Sequence, residues 1–157
     1  MTADNIPRST TVASLRCPDY NPERVREGVR TLLDALPELQ EKLRAADRVL
    51  LKPNLLSSTR GPEKHVNTHP VVVRAVAEMV MSDFGCAVAI GDSCGTLTDG
   101  STARALKKSG IVDICEDLGA ELYNVDTQPR HVVEFEEGLL WKRITLPSNL
   151  DEFDLIV

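Results

Sequence analysis

Two polar tips carry the side chains with which this chain of 157 residues could do chemistry. Lys52 lies at the end of the apolar run 48–53, and Asp92 follows Gly91 after the run 86–91. A lysine ammonium can bind a phosphate or carboxylate, or act as a base where burial disfavours its charged form. A carboxylate can ligate a metal, bind a ribose hydroxyl or accept a proton. We predict that Lys52 and Asp92 are the catalytic pair, with a plain salt bridge between them as the open alternative.

Three further polar residues follow apolar runs and are expected at the same place. Asn54 and Ser93 come shortly after Lys52 and Asp92, and Asp126 follows a later run. We predict that Asn54 and Ser93 bind the ligand. The alternative for both Asp92 and Ser93 is that they only accept hydrogen bonds from loop N–H groups, as short polar side chains often do.

The polar loop 54–67 is long for a connection between a strand and a helix, and loops of this length are often functional or disordered. Arg60 lies in it and could grip an anionic substrate as part of a lid. A loop that is simply solvated is the alternative. We include Arg60 among the predicted ligand-binding residues.

The two histidines His65 and His69 are four residues apart and raise the question of a metal. With Asp92 or Cys94 they could form a metal site. Thr68, however, is predicted as the N-cap of the next helix, which would leave His65 outside that helix. We predict that His69 binds the ligand, and we leave the identity of any metal open.

Strands alternate with helices over most of the chain, which predicts a parallel sheet with right-handed crossovers. Such β-α-β units place the polar tips on one edge of the sheet, where ligands bind in open α/β folds. The strands are predicted at 10–15, 48–53, 86–91 and 121–125, and the main helices begin near 22, 70, 101 and 111.

The pattern changes after residue 126. Residues 131–136 and 139–146 predict a β-hairpin that turns at Glu137-Gly138, and 154–157 resembles the start of another buried strand. We predict a three-layer α/β/α domain with a mostly parallel mixed sheet and a C-terminal hairpin. Residues 1–157 would form this single domain, and the final apolar run leads us to expect a longer protein.

Composition excludes several classes of function. The formal net charge of -6 argues against nucleic acid as a partner, and no apolar run approaches the ~20 residues of a membrane span. The N-terminal residues lack the apolar region of a signal peptide, so we expect a cytoplasmic protein without a membrane partner. The four cysteines form no CxxC pair, and by spacing alone they predict no iron–sulfur or zinc motif.

Four short blocks of the sequence resemble one family. They are VLLKPN at 49–54, THPVV at 68–72, AIGDS at 89–93 and SGI at 109–111. In this order they are similar to the domain of unknown function no. 362, whose members are often labelled iron–sulfur cluster-binding proteins. The resemblance runs from about residue 49 to residue 157 and is most specific at the Lys-Pro-Asn and Gly-Asp-Ser blocks.

The resemblance implies more than these residues show by themselves. In that family the strand at 154–157 leads into a segment with lysine and histidine, and many members then carry a ferredoxin-like module. An iron–sulfur cluster is therefore implied for a full-length protein and not for this chain. Carried over residue by residue, the motif positions to test are Lys52, Asn54, His69, Asp92 and Ser93.

Three functional hypotheses follow. The first is a domain of a redox enzyme that binds a small anionic molecule at the polar edge and receives electrons from an iron–sulfur module outside this chain. The second is a binding or scaffold domain without chemistry of its own. The third is a metal-dependent hydrolase or transferase that uses Asp92 with His65 or His69.

Overall fold

Helices and strands alternate along the chain, and the predicted α/β class is confirmed. The computed structural model describes residues 11–95, 98 and 100–157. The helices in this part are α1 (Pro22–Asp34), α2 (Pro37–Arg44), α3 (Pro70–Phe84), α4 (Ser101–Lys108) and α5 (Ile111–Leu118). The strands are β1 (Arg48–Leu51), β2 (Ala87–Ile90), β3 (Glu121–Leu122), β4 (Arg130–Glu134), β5 (Arg143–Pro147) and β6 (Leu155–Ile156). Within the described ranges, the helices are too short or too polar to cross a membrane.

A four-stranded parallel sheet organises the domain, in the order β3-β2-β1-β6. β1 is buried on both faces, since Val49 and Leu50 point to opposite sides and are 0% and 2% exposed. Such a strand needs apolar residues throughout, which explains its continuous apolar sequence. The strand ends at Leu51, short of the predicted end at Pro53, because a proline has no N–H to continue the ladder.

The two faces of the sheet are covered differently. Leu51 packs into the larger core, where all five α-helices contribute side chains. On the other face, Leu50 packs with the rings of Tyr123 and Phe153. In the described residues the layer on this second face consists of two short 3-10 turns, Val125–Thr127 and Leu150–Glu152, instead of α-helices.

The chain crosses the sheet in both directions, which creates a switch point beside β1. From β1 it moves to β2 through α3 and then to β3 through α4 and α5. It then returns to β6, on the opposite side of β1. Right-handed crossovers in opposite directions must lie on opposite faces of a sheet, which accounts for the two separate packing clusters. Ligands of open α/β sheets bind outside the carboxyl ends of the strands at such a point.

The predicted hairpin forms a sheet of its own, so the main sheet is parallel throughout and not mixed. β4 and β5 pair in antiparallel fashion, from Arg130 opposite Pro147 to Glu134 opposite Arg143. The expected two-residue turn at Glu137-Gly138 is wrong. The last pair is closed by the Phe135 N–H, which donates to the Lys142 carbonyl at 2.8 Å, and residues 136–141 form a longer loop beyond it.

The first predicted strand is not a strand. Residues 11–15 have no strand partners, and residue 10 lies outside the described residues. Val12 is 84% exposed, so the β-type pattern here is not matched by burial. Leu15 packs against α1 at Gly28, where its methyl group lies close enough that an added side chain would be crowded.

The amino-terminal edge of the sheet is held by Asp154 and Arg48. The Asp154 carboxylate accepts the N–H groups of Arg48 and Asp47 at 2.8 and 2.9 Å. These backbone hydrogen bonds hold the pKa of Asp154 below its usual value. The Arg48 guanidinium pairs with Glu121 and Glu152 at 2.5 and 2.7 Å, which ties β1 to the elements on both sides.

Candidate functional site

Lys52 and Asp92 meet at the carboxyl edge of the sheet because of the register between β1 and β2. Leu51 is paired with Ile90, and the Gly91 N–H continues the ladder to the Leu51 carbonyl at 3.0 Å. One step further, the Lys52 ammonium lies 2.9 Å from the Asp92 carboxylate. The Asp92 side chain is only 11% exposed, whereas that of Lys52 is 54% exposed. The salt bridge that the sequence left open as the alternative is therefore present, and its cationic partner faces solvent.

Gly91 is required here by a close approach of two backbones. A Cβ atom at this position would lie 1.6 Å from the carbonyl oxygen of Tyr123, which follows β3. The Tyr123 N–H donates to the Ile90 carbonyl at 3.0 Å, so the two chains are in direct contact. Tyr123 is fully buried, and its hydroxyl donates to the Asn149 side chain at 2.8 Å. Gly91 thus allows β3 to pair closely enough to bring the residues after it to the edge.

Asp126 forms a second polar group next to Lys52–Asp92. The strand predicted at 121–125 stops at Leu122, because the Asn124 side chain accepts the Asp126 N–H and starts a 3-10 turn. This turn presents the Asp126 carboxylate to Ser93, whose hydroxyl donates to it at 3.0 Å. Arg130 lies 3.5 Å from the same carboxylate.

Thr102, in the first turn of α4, connects Asp126 to the loop after β2. Its hydroxyl donates to the second oxygen of the Asp126 carboxylate and accepts the Cys94 N–H at 2.8 Å. Thr102 is 1% exposed, so both bonds are made away from water. Buried polar groups of this kind are costly to leave unpaired, and the arrangement therefore fixes the loop that carries Asp92 and Ser93.

The long loop 54–67 is closed at its base by Asn54 and Thr68. The Asn54 N–H donates to the Thr68 hydroxyl at 2.9 Å, and the Thr68 N–H returns to the Asn54 carbonyl at 3.0 Å. Inside the loop, the buried Asn67 side chain bonds the N–H and carbonyl of Ser57, both at 2.9 Å. Arg60 lies exposed on this folded loop. The pairing leaves the Asn54 side chain bonded to the Val66 carbonyl at 3.0 Å.

His69 is the N-cap of α3, and the prediction of Thr68 for that position is wrong. The His69 Nδ1 atom accepts the Val71 N–H at 3.3 Å. The Thr68 hydroxyl is bonded to Asn54, so the imidazole one residue later satisfies the helix N–H. Burial and the neighbouring His65 lower the pKa of His69.

Tyr20 brings the two histidines together. Its ring stacks on His69 with 3.6 Å between centroids and on His65 with 5.8 Å. The two imidazoles thus share Tyr20 as a neighbour, while the Asp92 carboxylate is paired with Lys52. Among the residues described, no group of three or more His, Cys, Asp or Glu side chains could hold a metal ion.

The four cysteines of this chain lie apart and do not form a ligand set for an iron–sulfur cluster. Three are buried and Cys17 is exposed. The buried thiols contact different backbone carbonyls: Cys86 that of Ala46, Cys94 that of Leu56 and Cys115 that of Glu121. Burial raises the pKa of the Cys86 thiol and raises that of Cys115 to about 11, which disfavours the thiolate form that metals bind.

The structure therefore brings Lys52, Asp92 and Ser93 to one edge and adds Asp126, the residue expected there from its position. It places His69 at the start of α3 and Arg60 on the loop surface. Sequence reasoning missed Thr102, Arg130 and Tyr20. Thr102 lies at the second position of a predicted helix that follows a polar loop. This placement was the one feature of the sequence that could have indicated a role for Thr102 in holding the loop.

Comparison with known proteins assigns the chain to a family. Residues 49–157 match the model of the Domain of unknown function (DUF362), so the chain belongs to this family, as the four blocks indicated. A thylakoid-associated protein of Synechocystis is 40% identical over 108 residues, which are 69% of this chain and 32% of that protein. The chain thus spans about a third of the length of this curated relative. No solved structure matches.

The close approach at Gly91 gives a test of the edge. We expect Gly91→Ala to lower the free energy of unfolding by about 3 kcal/mol or more, because the methyl group would push the Tyr123 backbone away. The measurement is urea denaturation. Gly119→Ala is the matched control: its φ is +68° and nothing lies near its added Cβ, so a loss of about 1 kcal/mol is expected. Equal losses in the two variants would contradict this account of Gly91.

Proposed function

We propose that this member of the family of unknown function binds a small anionic molecule at the carboxyl edge of its parallel sheet, with Lys52 as the cation that holds it. One observation carries the proposal: the ammonium of Lys52 lies at the edge, half-exposed, while its carboxylate partner Asp92 is buried. An ammonium has three N–H donors. In the described residues Asp92 is the acceptor of one of them.

The surroundings of Lys52 support binding over a purely structural role. Lys52 directly follows β1, the strand that borders the switch point where the crossovers diverge to opposite faces. An exposed ion pair contributes little to stability, so stability alone gives a weak reason for a lysine here. A cavity of about 140 Å³ next to it is lined by Lys52, Thr68 and apolar residues of β1 and α3. The edge thus offers a half-exposed cation, and the cavity beside it is lined mainly by apolar side chains.

Asp92 and Ser93 would complete the site in different ways. The Asp92 carboxylate orients the ammonium at 2.9 Å and can exchange a proton with a bound molecule. The Ser93 hydroxyl is held by Asp126 at 3.0 Å, which fixes its oxygen near the same edge. Arg60, exposed on the folded loop, could approach a bound anion from the outside.

The anion-binding role is tested by titrating the chain with inorganic phosphate and, separately, with oxalate. We expect saturable NMR shifts of the amides at residues 52, 92 and 93, and Lys52→Met should weaken binding about tenfold or more, because a charge-assisted hydrogen bond is lost. Lys107→Met, at the far end of α4, is the matched control and should bind as the wild type does. Unchanged affinity in Lys52→Met would contradict the proposal and would favour the scaffold hypothesis.

We further propose that the domain works within a redox enzyme whose iron–sulfur module lies outside these 157 residues. The family resemblance supports this, and the curated relative, of which this chain covers 32%, is long enough to contain a further module. The thiols described here do not supply a ligand set, so the residues that would hold such a cluster would have to lie in another part of the protein. No reaction step within this chain depends on that module.

The redox role predicts that the full-length protein is coloured and contains iron. We expect the full-length protein, purified without oxygen, to show the broad visible absorption of an iron–sulfur cluster together with bound iron and sulfide. The 157-residue chain, prepared in the same way, serves as the control for iron that is bound non-specifically. A colourless full-length protein without iron would remove the redox part of the proposal and leave anion binding untouched.

A second candidate function is association with a membrane surface, and the hairpin loop favours it. Leu139, Leu140 and Trp141 are 100%, 89% and 73% exposed at the protruding end of the hairpin. Lys142 and Arg143 follow them, as is common where a segment enters the headgroup region. The curated relative is described as thylakoid-associated. Association with a membrane surface needs no segment that spans the bilayer. It is therefore compatible with the lack of a long apolar run, on which the expectation of no membrane partner was based.

Trp141 is the sole tryptophan of the chain and reports directly on this candidate. With vesicles of phosphatidylcholine and phosphatidylglycerol, we expect its emission to shift to shorter wavelength. The double variant Leu139→Ser, Leu140→Ser should bind about tenfold or more weakly, because the apolar area of two side chains is lost. Val12→Ser changes an exposed apolar residue elsewhere and should behave as wild type. An unshifted emission at saturating lipid would rule out this candidate.

A further inference from the structure

His69 is linked through the ring of Tyr20 to two other segments of the chain, the segment before α1 and the loop 54–67. It begins α3 and caps the Val71 N–H with its Nδ1 atom at 3.3 Å. Tyr20, from the segment before α1, stacks on its ring with an interplanar angle of 10°. His65, from the loop 54–67, stacks on the same Tyr20 ring.

The capping bond requires a neutral imidazole. An Nδ1 atom that accepts an N–H carries no proton, so the ring proton is on Nε2. When Nδ1 is protonated, two N–H groups face each other and the capping bond is lost. The new positive charge also lies at the positive end of the α3 dipole, which is unfavourable.

We propose that the N-cap of α3 formed by His69, whose ring stacks on Tyr20, is a proton-operated latch. Neutral His69 accepts the Val71 N–H and so caps the start of α3, and a proton taken from solvent onto Nδ1 breaks this cap. The inference does not depend on the proposed anion binding, because its states are defined by contacts within the chain.

Titratable and charged side chains lie on each of the elements that pack near the start of α3. His65 is the titratable group that faces it from the loop, and Tyr20 is the one from the segment before α1. Asp113 of α5 borders the same cavity as Pro70 and Arg74 of α3, and Arg74 is paired with Asp117 at 2.5 Å. Arg26 of α1 lines that cavity as well and is paired with Glu78 at 2.6 Å.

The direction of the pH dependence follows from these contacts. Burial and His65 lower the pKa of His69 in the folded chain below the ordinary value of 6.5. At pH values below 6.5, His69 therefore binds a proton more readily in the unfolded chain than in the folded chain. The stabilisation by the cap is complete above pH 6.5 and is lost as the pH falls through the pKa of the folded state.

The latch has a direct connection to the polar edge. Thr68, next to His69, exchanges two backbone-anchored hydrogen bonds with Asn54, two residues after Lys52. Loss of the His69 cap would loosen the start of α3 and, through the adjacent Thr68, the Asn54–Thr68 pair at the base of the loop. We therefore expect the loop 54–67 to open together with the start of α3, while the β1–β2 pairing stays intact.

The test is amide hydrogen exchange of the full chain between about pH 7.5 and about pH 5, with rates converted to protection factors to remove the intrinsic pH effect. In the wild type, the protection of the Val71 amide should fall about tenfold as His69 titrates, the size expected for loss of one N-cap. In His69→Asn, whose side chain caps a helix without titrating, protection should not change with pH. His65→Asn should shift the midpoint upward, because a charge that disfavours protonation of His69 is removed.

A second measurement keeps the test decisive if His69→Asn does not fold. The imidazole C–H signals of the wild type give separate titration midpoints for His65, His69 and His131. The loss of Val71 protection must share the midpoint of His69 and not those of the other two. Constant Val71 protection across the range, or a loss that follows His65 or His131, would overturn the latch.

Discussion

The register between β1 and β2 is the constraint on which the candidate site depends. β1 is buried on both faces, so its apolar residues cannot slip by one position without exposing one set to water. The pairing of Leu51 with Ile90 fixes where each strand ends, and the next residues, Lys52 and Asp92, then meet at 2.9 Å. The ion pair is thus a consequence of core packing, and its own contribution to stability is small because Lys52 is half-exposed.

The two edges of the sheet have different tasks. At the amino-terminal edge the polar groups of Asp154 and Arg48 are paired within the protein. The Asp154 carboxylate accepts two backbone N–H groups. The Arg48 guanidinium pairs with Glu121 and Glu152 and lies 4.7 Å from the Phe153 ring centre. At the carboxyl edge, Lys52 and Ser93 keep exposed polar atoms. Hydrogen bonds and ion pairs thus hold the fold together at the amino-terminal edge, and the proposed ligand site lies at the carboxyl edge.

The sequence predicted the elements that depend on local pattern and missed those that depend on tertiary contact. Continuous apolar runs identified β1 and β2, and hence Lys52 and Asp92, because burial on both faces leaves a clear signal. The apolar residues at 11–15 give a similar local signal but lie outside the sheet. A short pattern could not reveal this, because it does not show whether the segment has a neighbouring strand to pair with. Thr102 and Tyr20 could not be assigned, because their roles come from residues 24 and 49 positions away. The N-cap of α3 was missed for the same reason: the Thr68 hydroxyl is occupied by Asn54, far back in the chain.

Charge balance at the carboxyl edge explains how it can be both folded and receptive. Asp92 is matched by Lys52 and Asp126 by Arg130, so neither carboxylate is without a cationic partner in the free protein. An incoming anion does not have to displace a carboxylate, because the exposed ammonium can bind it and Asp92 together. Thr102 holds Asp126 from inside, and that bond keeps Ser93 in place whether or not the edge is occupied. An edge with paired charges and fixed hydroxyls is pre-organised, which lowers the ordering cost of binding.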